Sequence, residues 1–157
     1  MGFALCAGRT LRFAVRVETT FTTRELGIGD YRAVVALWEA SAGVEIAEGD
    51  DQESIARYLA RNPGLSRVAV MDGRIIGAVL CGHDGRRGLI YHLAVAQEDR
   101  GKGIGRRLTE ECAQGLKRLG LKRAILLVAK GNEDARGFWR AAGFEPIAGA
   151  EPFGVDL

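Results

Sequence analysis

The chain has 157 residues, of which 47% are apolar and 27% charged, with 22 basic against 20 acidic side chains for a net charge of +2. That length fits one domain with a sizeable core, and the composition excludes disorder as the main state. The charge is too small to argue for nucleic acid by itself, and no apolar run approaches the ~18 residues of a membrane span.

Cys6, Cys81 and Cys112 are odd in number and share no metal-ligand or disulfide-framework spacing, so no metal is expected and a reducing cytoplasm is the default compartment. Met1 to Val17 carries Arg9, Arg12 and Arg16 with no acid before Glu18, superficially like a transit peptide. Leu11, Phe13, Val15 and Val17 alternate as in a strand, which favours an N-terminal extension or added strand over residues 1–20, with a single domain over 21–157.

Phe21 to Leu26 reads as a short strand. Gly29-Asp30 offers an N-cap, and Val34, Val35, Leu37 and Trp38 predict a helix over Tyr31–Ala42. The acidic stretch Glu45 to Glu53 then ends in Asp50 and Glu53, a capping-box-like pair ahead of Ile55, Tyr58 and Leu59; it is also an acidic mouth that could attract a cationic acceptor. Asn62-Pro63-Gly64 closes this second helix. Ser66–Met71 and Ile75–Cys81 are strands joined at Asp72-Gly73, a tight-hairpin dipeptide, and the turn from His83 to Gly88 leads into a third strand, Leu89–Val95.

Ile104, Leu108, Cys112, Leu116 and Leu119 form the apolar stripe of a third helix with Gly120 as its stop. Ala124–Val128 reads as a strand covered on both faces. Asn132 caps a fourth helix with the stripe Ala135, Phe138, Trp139 and Ala142, closed by Gly143. Phe144–Ile147 and Gly154–Leu157 are terminal strand candidates.

Between the third strand and third helix lies Gln97-Glu98-Asp99-Arg100-Gly101-Lys102-Gly103-Ile104-Gly105-Arg106-Arg107. Glycines at a helix start expose backbone N–H groups where the helix dipole is positive, which suits a phosphate or pyrophosphate. The spacing is neither Gly-x4-Gly-Lys-Ser/Thr nor Gly-x-Gly-x-x-Gly, so the two common nucleotide loops are excluded. What remains is Arg100-x-x-Gly103-x-Gly105.

Leu93-Ala94-Val95, then Arg100 to Gly105, the amphipathic helix, Asn132-x-x-Ala135-x-x-Phe138-Trp139 and Gly143-Phe144 closely resemble the GNAT superfamily of acetyl-CoA-dependent N-acetyltransferases. Asn62-Pro63-Gly64 and Gly82 to Gly88 resemble its small bacterial YpeA-like group, whose well-known relatives acetylate protein N-termini. The resemblance implies a mixed, mainly antiparallel α/β sheet of six to seven strands, flanked by four helices and splayed into a cofactor slot. It implies that backbone amides of Gly101, Lys102, Gly103, Ile104, Gly105 and Arg106 hold the coenzyme A pyrophosphate, with Arg100 beside them. Leu93 and Val95 would bond the pantetheine through backbone, an N–H around Leu93, Ala94 and Val95 would polarise the thioester, and Asn132 would contact the pantetheine end. For Arg106 and Arg107 a solvated helix face is an equal alternative.

Acetyl transfer to an amine requires a neutral amine, stabilisation of the oxyanion and a proton for the leaving thiolate. Many relatives place a tyrosine directly after the residue at Phe138, where this chain has Trp139, whose indole is no practical acid. Trp139 therefore reads as packing against the cofactor slot or core. Tyr91 and His92 are the replacement candidates: Tyr91 shares the strand phase of Leu89 and Leu93, and His92 faces the other way unless a bulge intervenes. His83, Asp84, Arg86 and Glu45 are candidate acceptor contacts. Glu45 favours a cationic amine, Arg86 a carboxylate or phosphate, so the acceptor stays open between a protein N-terminus, a lysine and a small-molecule amine. A non-catalytic acyl-CoA-binding regulatory module is the alternative. No nucleic-acid or membrane partner is expected, and monomer and homodimer both remain open.

Overall fold

The computed structural model describes residues 20–155, so the expected extension over residues 1–20 lies, but for its last residue, outside the described residues. The first half consists of β1 (Thr22–Glu25), a one-turn 3-10 helix (Ile28–Asp30), α1 (Tyr31–Glu39), α2 (Gln52–Arg61), β2 (Arg67–Met71) and β3 (Arg74–His83). It continues through β4 (Gly88–Val95), a second 3-10 turn (Gln97–Asp99), α3 (Ile104–Arg118), β5 (Ala124–Leu126) and α4 (Glu133–Ala141). The five strands lie in sequence order; β1 to β4 are antiparallel and β5 joins β4 in parallel.

Two apolar layers hold the sheet. On one face Ile104, Leu108, Cys112 and Leu116 of α3 pack on Ala69, Ile76, Val79, Cys81 and Ile90. On the other, Val34 and Trp38 of α1 and Ile55 of α2 pack on Val68, Ala78, Leu80 and Ala94. Central β3 is buried continuously over residues 76–82, as expected for a strand covered on both faces. Asp72 and Gly73 both take positive φ, 51° and 75°, and close the predicted β2–β3 hairpin.

Three expectations need correction. The described residues contain five strands rather than six to seven, because Phe144–Ile147 does not pair. The Phe144 N–H donates to the Trp139 carbonyl at 2.9 Å and its ring packs 5.1 Å from that indole, so this backbone caps α4, and Pro146 has no donor for a ladder. Residues 154 and 155 of the second terminal candidate are also unpaired. Second, β5 stops at Leu126 rather than Val128, and Leu127 is exposed. Third, the N-cap of α2 is Asp51, not Asp50: its carboxylate accepts the Ser54 N–H at 3.0 Å. Asp50 is thereby left for another role.

Candidate functional site

The sheet opens at one place. β4 pairs with β5 only from Gly88 to Ile90, opposite Ala124 to Leu126, and among the described residues the remainder of β4 has no partner on that side. The Ala96 N–H bonds back to Ile76 on β3, so by alternation Val95 turns its carbonyl to the open edge, where Arg100 Nε donates to it at 3.2 Å. The free edge runs straight into the glycine turn. Gly101 and Gly103 hold φ of 77° and 81°, a left-handed conformation that ordinary residues resist, and the space a side chain would enter at either is empty to 4 Å. Gly103 is the N-cap of α3, and no side chain caps that end. Bare amides, open space beside them and a fifteen-residue helix dipole fit a pyrophosphate.

The cations around the turn are engaged with the protein itself. Lys102 Nζ donates to Asp99 at 2.7 Å, and Arg106 and Arg107 pair with Glu110 and Glu111 at 2.8 and 2.7 Å along α3. Asp99 is 1% exposed and also receives Arg74 at 3.1 Å, so it locks the turn to the start of β3. The Lys102 hydrogen bond, more than any other influence, holds the Asp99 carboxyl below its usual range. A depressed folded-state pKa stabilises fully above the unfolded value of about 3.9, and that contribution is lost as pH falls through the folded value. Urea unfolding should therefore find Asp99→Asn less stable than the parent at pH 6, with the gap closing at the acid end of the carboxylate range.

Asn132 caps α4 through its side chain, accepting the Ala135 N–H at 3.0 Å. Its amide also lies against Gly43, so closely that any side chain at Gly43 would collide with it. The loop after α1 thus reaches the start of α4. Phe138, rather than Trp139, lies over the start of α3: a Cβ on Gly105 would sit 3.3 Å from its ring and 3.7 Å from Val95. Trp139 packs on the α3-side core with Phe138 and Phe144 against it.

A β-bulge sits in β4. Ala78 faces Ala94 and Leu80 faces Tyr91, so Val79 alone opposes both His92 and Leu93. His92 has φ of 51°, a left-handed value that His adopts more readily than most residues. The bulge overturns the expected phase. Leu93 and Val95 join the α3-side cluster, while Tyr91 joins the α1 side with Tyr58 and Ala94. His92 lies on that same α1 side, its ring edge-on to Trp38 at 4.8 Å and its Nε2 2.9 Å from Asp50 Oδ1. The two side chains are 19% and 12% exposed. In the sequence Asp50 reads as the capping-box partner of Glu53 within the acidic stretch, and nothing there ties it to His92.

The remaining candidates lie elsewhere. His83, Asp84 and Arg86 form the β3–β4 hairpin, at the opposite end of β4 from the glycine turn. His83 Nδ1 accepts the Gly85 N–H at 3.0 Å, and Asp84 accepts the Arg86 and Arg87 N–H groups at 2.7 and 2.6 Å. Glu45 is exposed in the loop between α1 and α2. Among the described residues, no group of three His, Cys, Asp or Glu side chains could hold a metal ion, and no helix is long and apolar enough to cross a membrane.

A parted sheet whose free strand edge leads to a glycine-rich helix start with bare amides matches the acetyltransferase architecture that the sequence resembles. The sequence model described as the acetyltransferase (GNAT) family matches residues 31–144. An acetyltransferase of Pectobacterium atrosepticum is 32% identical over 118 residues, covering 75% of this chain and 83% of the relative. Among solved structures, Ard1 from Thermoplasma volcanium superposes with a TM-score of 0.73 at 22% identity, over 82% of this chain and 84% of the other. The PaiA N-acetyltransferase from Thermoplasma acidophilum, in complex with coenzyme A, does so with a TM-score of 0.71 at 21% identity, over 80% and 90%. The chain belongs to the GNAT family of acetyltransferases.

Proposed function

We propose that this chain is an acetyl-CoA-dependent N-acetyltransferase that acetylates a primary amine directly, in a ternary complex. The observation that carries the reading is that the β4 edge beyond Ile90, unpaired among the described residues, leads to the open, positive-φ turn at Gly101 and Gly103. An extended pantetheine would lie along the edge as an added strand, through Leu93, Ala94 and Val95, and the pyrophosphate would rest on the amides from Gly101 to Arg106. Asn132 and Phe138 would border the other side of the slot. Bound acetyl-CoA supplies an acetyl thioester whose C–S bond is exchanged for a C–N bond to the acceptor.

The acceptor is a protein N-terminus, a lysine or a small-molecule amine, approached from the α1–α2 loop that carries Glu45. A non-catalytic acyl-CoA-binding module is favoured by one observation: Trp139, where relatives often have tyrosine, is packed with Phe144 and offers no acid. Release of free coenzyme A thiol, measured with acetyl-CoA and a panel of spermidine, an aminoglycoside, a free-N-terminus peptide and a lysine peptide, separates the two. Acceptor-dependent thiol release is expected. Tight coenzyme A binding without release for any member would favour the module.

A further inference from the structure

We propose that Asp50 is a positioning residue that holds His92 as the base deprotonating the acceptor, with imidazole Nδ1 as the accepting atom. The inference rests on the amine-acetylation reading above and adds to it the identity of the base. An alkylammonium with an ordinary pKa near 10.4 is only about 0.04% neutral at pH 7, so a proton acceptor at the split of the sheet has a large task. His92 lies two residues beyond Ile90, the last β4 residue paired with β5, and is thus at the root of the open edge.

Four observations converge on this pair. The bulge turns His92 out of regular alternation, and the chain holds it at a φ of 51°, a conformation of the kind that persists where the surroundings enforce it. Trp38, fully buried, abuts the ring at 4.8 Å. Asp50 Oδ1 receives Nε2 at 2.9 Å, and among the described residues Nδ1 has no hydrogen-bond partner. Finally, Asp50 is itself anchored: its Oδ2 accepts the Ala47 N–H at 3.0 Å and its carbonyl accepts the Tyr31 hydroxyl at 2.9 Å.

The chemistry follows from the inventory of lone pairs. An ionised carboxylate can only accept, so the neutral imidazole carries its proton on Nε2 and leaves Nδ1 bare. Nδ1 takes one proton from the ammonium, which leaves a neutral amine with its lone pair. Asp50 offsets the imidazolium charge, and the partly exposed ring returns the proton to solvent. Three phenols lie around this site: Tyr91 beside His92, Tyr31 on the Asp50 carbonyl, and Tyr58 in the same core cluster, whose burial pushes it above the usual range. Glu45 and Glu48 of the same loop are exposed.

The test compares the parent with Asp50→Asn, His92→Asn and the double variant, asparagine being chosen at 92 because it tolerates positive φ. Coenzyme A affinity should be unchanged in all three. His92→Asn should lower kcat/KM by about 100-fold or more, the usual scale for general-base removal. Asp50→Asn should lower it by roughly tenfold, because the imidazole loses the carboxylate that orients it. The double variant should be no slower than His92→Asn alone, since Asp50 acts through His92. Multiplying losses would overturn the proposal. Nitrogen-15 NMR of the imidazole reads the tautomer without any turnover: a proton on Nε2 is expected, and one on Nδ1 overturns the assignment. If the parent binds coenzyme A but acetylates no amine, the acetylation reading fails and the base assignment falls with it; amine acetylation with His92→Asn at parental rate removes the base alone.

Discussion

Gly103→Val is expected to weaken coenzyme A binding by roughly 100-fold or more while leaving the protein folded. Gly103 has φ of 81°, and a β-branched residue there costs on the order of 1–3 kcal/mol. The strain is relieved by rotating the peptide units on either side, the same units whose amides would face the pyrophosphate. Two hydrogen bonds to a charged group are worth about 1.5–3 kcal/mol each, and 1.4 kcal/mol corresponds to tenfold in affinity. Nothing within 4 Å opposes the new side chain, so the fold itself is not crowded. Calorimetric titration with coenzyme A, beside a thermal melt, measures both halves of the prediction. Parental affinity in a folded Gly103→Val protein would remove the turn from the cofactor site.

Trp38→Ala carries the largest expected loss of stability. The indole is fully buried and packs among Leu26, Val34, Ile55, Val68, Ala78, Leu80 and Ala94. Truncating a buried aromatic to alanine costs about 3–5 kcal/mol. In a chain of this size each kcal/mol moves the melting temperature by about 2–4 °C, so a fall of roughly 6–20 °C should appear by scanning calorimetry. Trp38→Phe should lose much less, since among the described residues the indole Nε1 has no hydrogen-bond partner to give up. A melting temperature for Trp38→Ala within a degree or two of the parent would mean that the α1-side layer contributes little to the fold. Because Trp38 also abuts His92, the alanine variant should lose activity at temperatures where it is still folded.

Much of the fold could be read from local signals. The helical stripe of α3, the Asp72-Gly73 turn and the Asn132 cap all appear where spacing and capping chemistry put them. These are short-range effects, determined by residues within a few positions of each other. The glycine turn was legible for the same reason, since φ above zero and bare helix-start amides are written into the residue types. The terminal strands were not, because Phe144 was equally suited to a strand and to closing α4. Its contact with Trp139 decided the matter.

The pairing of His92 with Asp50 was less legible still. Strand alternation put Tyr91 on the face of Leu93 and His92 on the opposite one, but a single inserted residue opposite Val79 broke the phase between them. Capping rules put Asp50 at the start of α2, whereas the cap is its neighbour Asp51. Only once Asp51 took the Ser54 amide was Asp50 left to meet His92, forty-two positions away. The sequence by itself determined most of the elements and the positive-φ glycine turn at the start of α3, because those depend on local backbone chemistry. The tertiary structure alone decided where β4 leaves β5 and which carboxylate holds the histidine, because both depend on contacts between segments far apart in the chain.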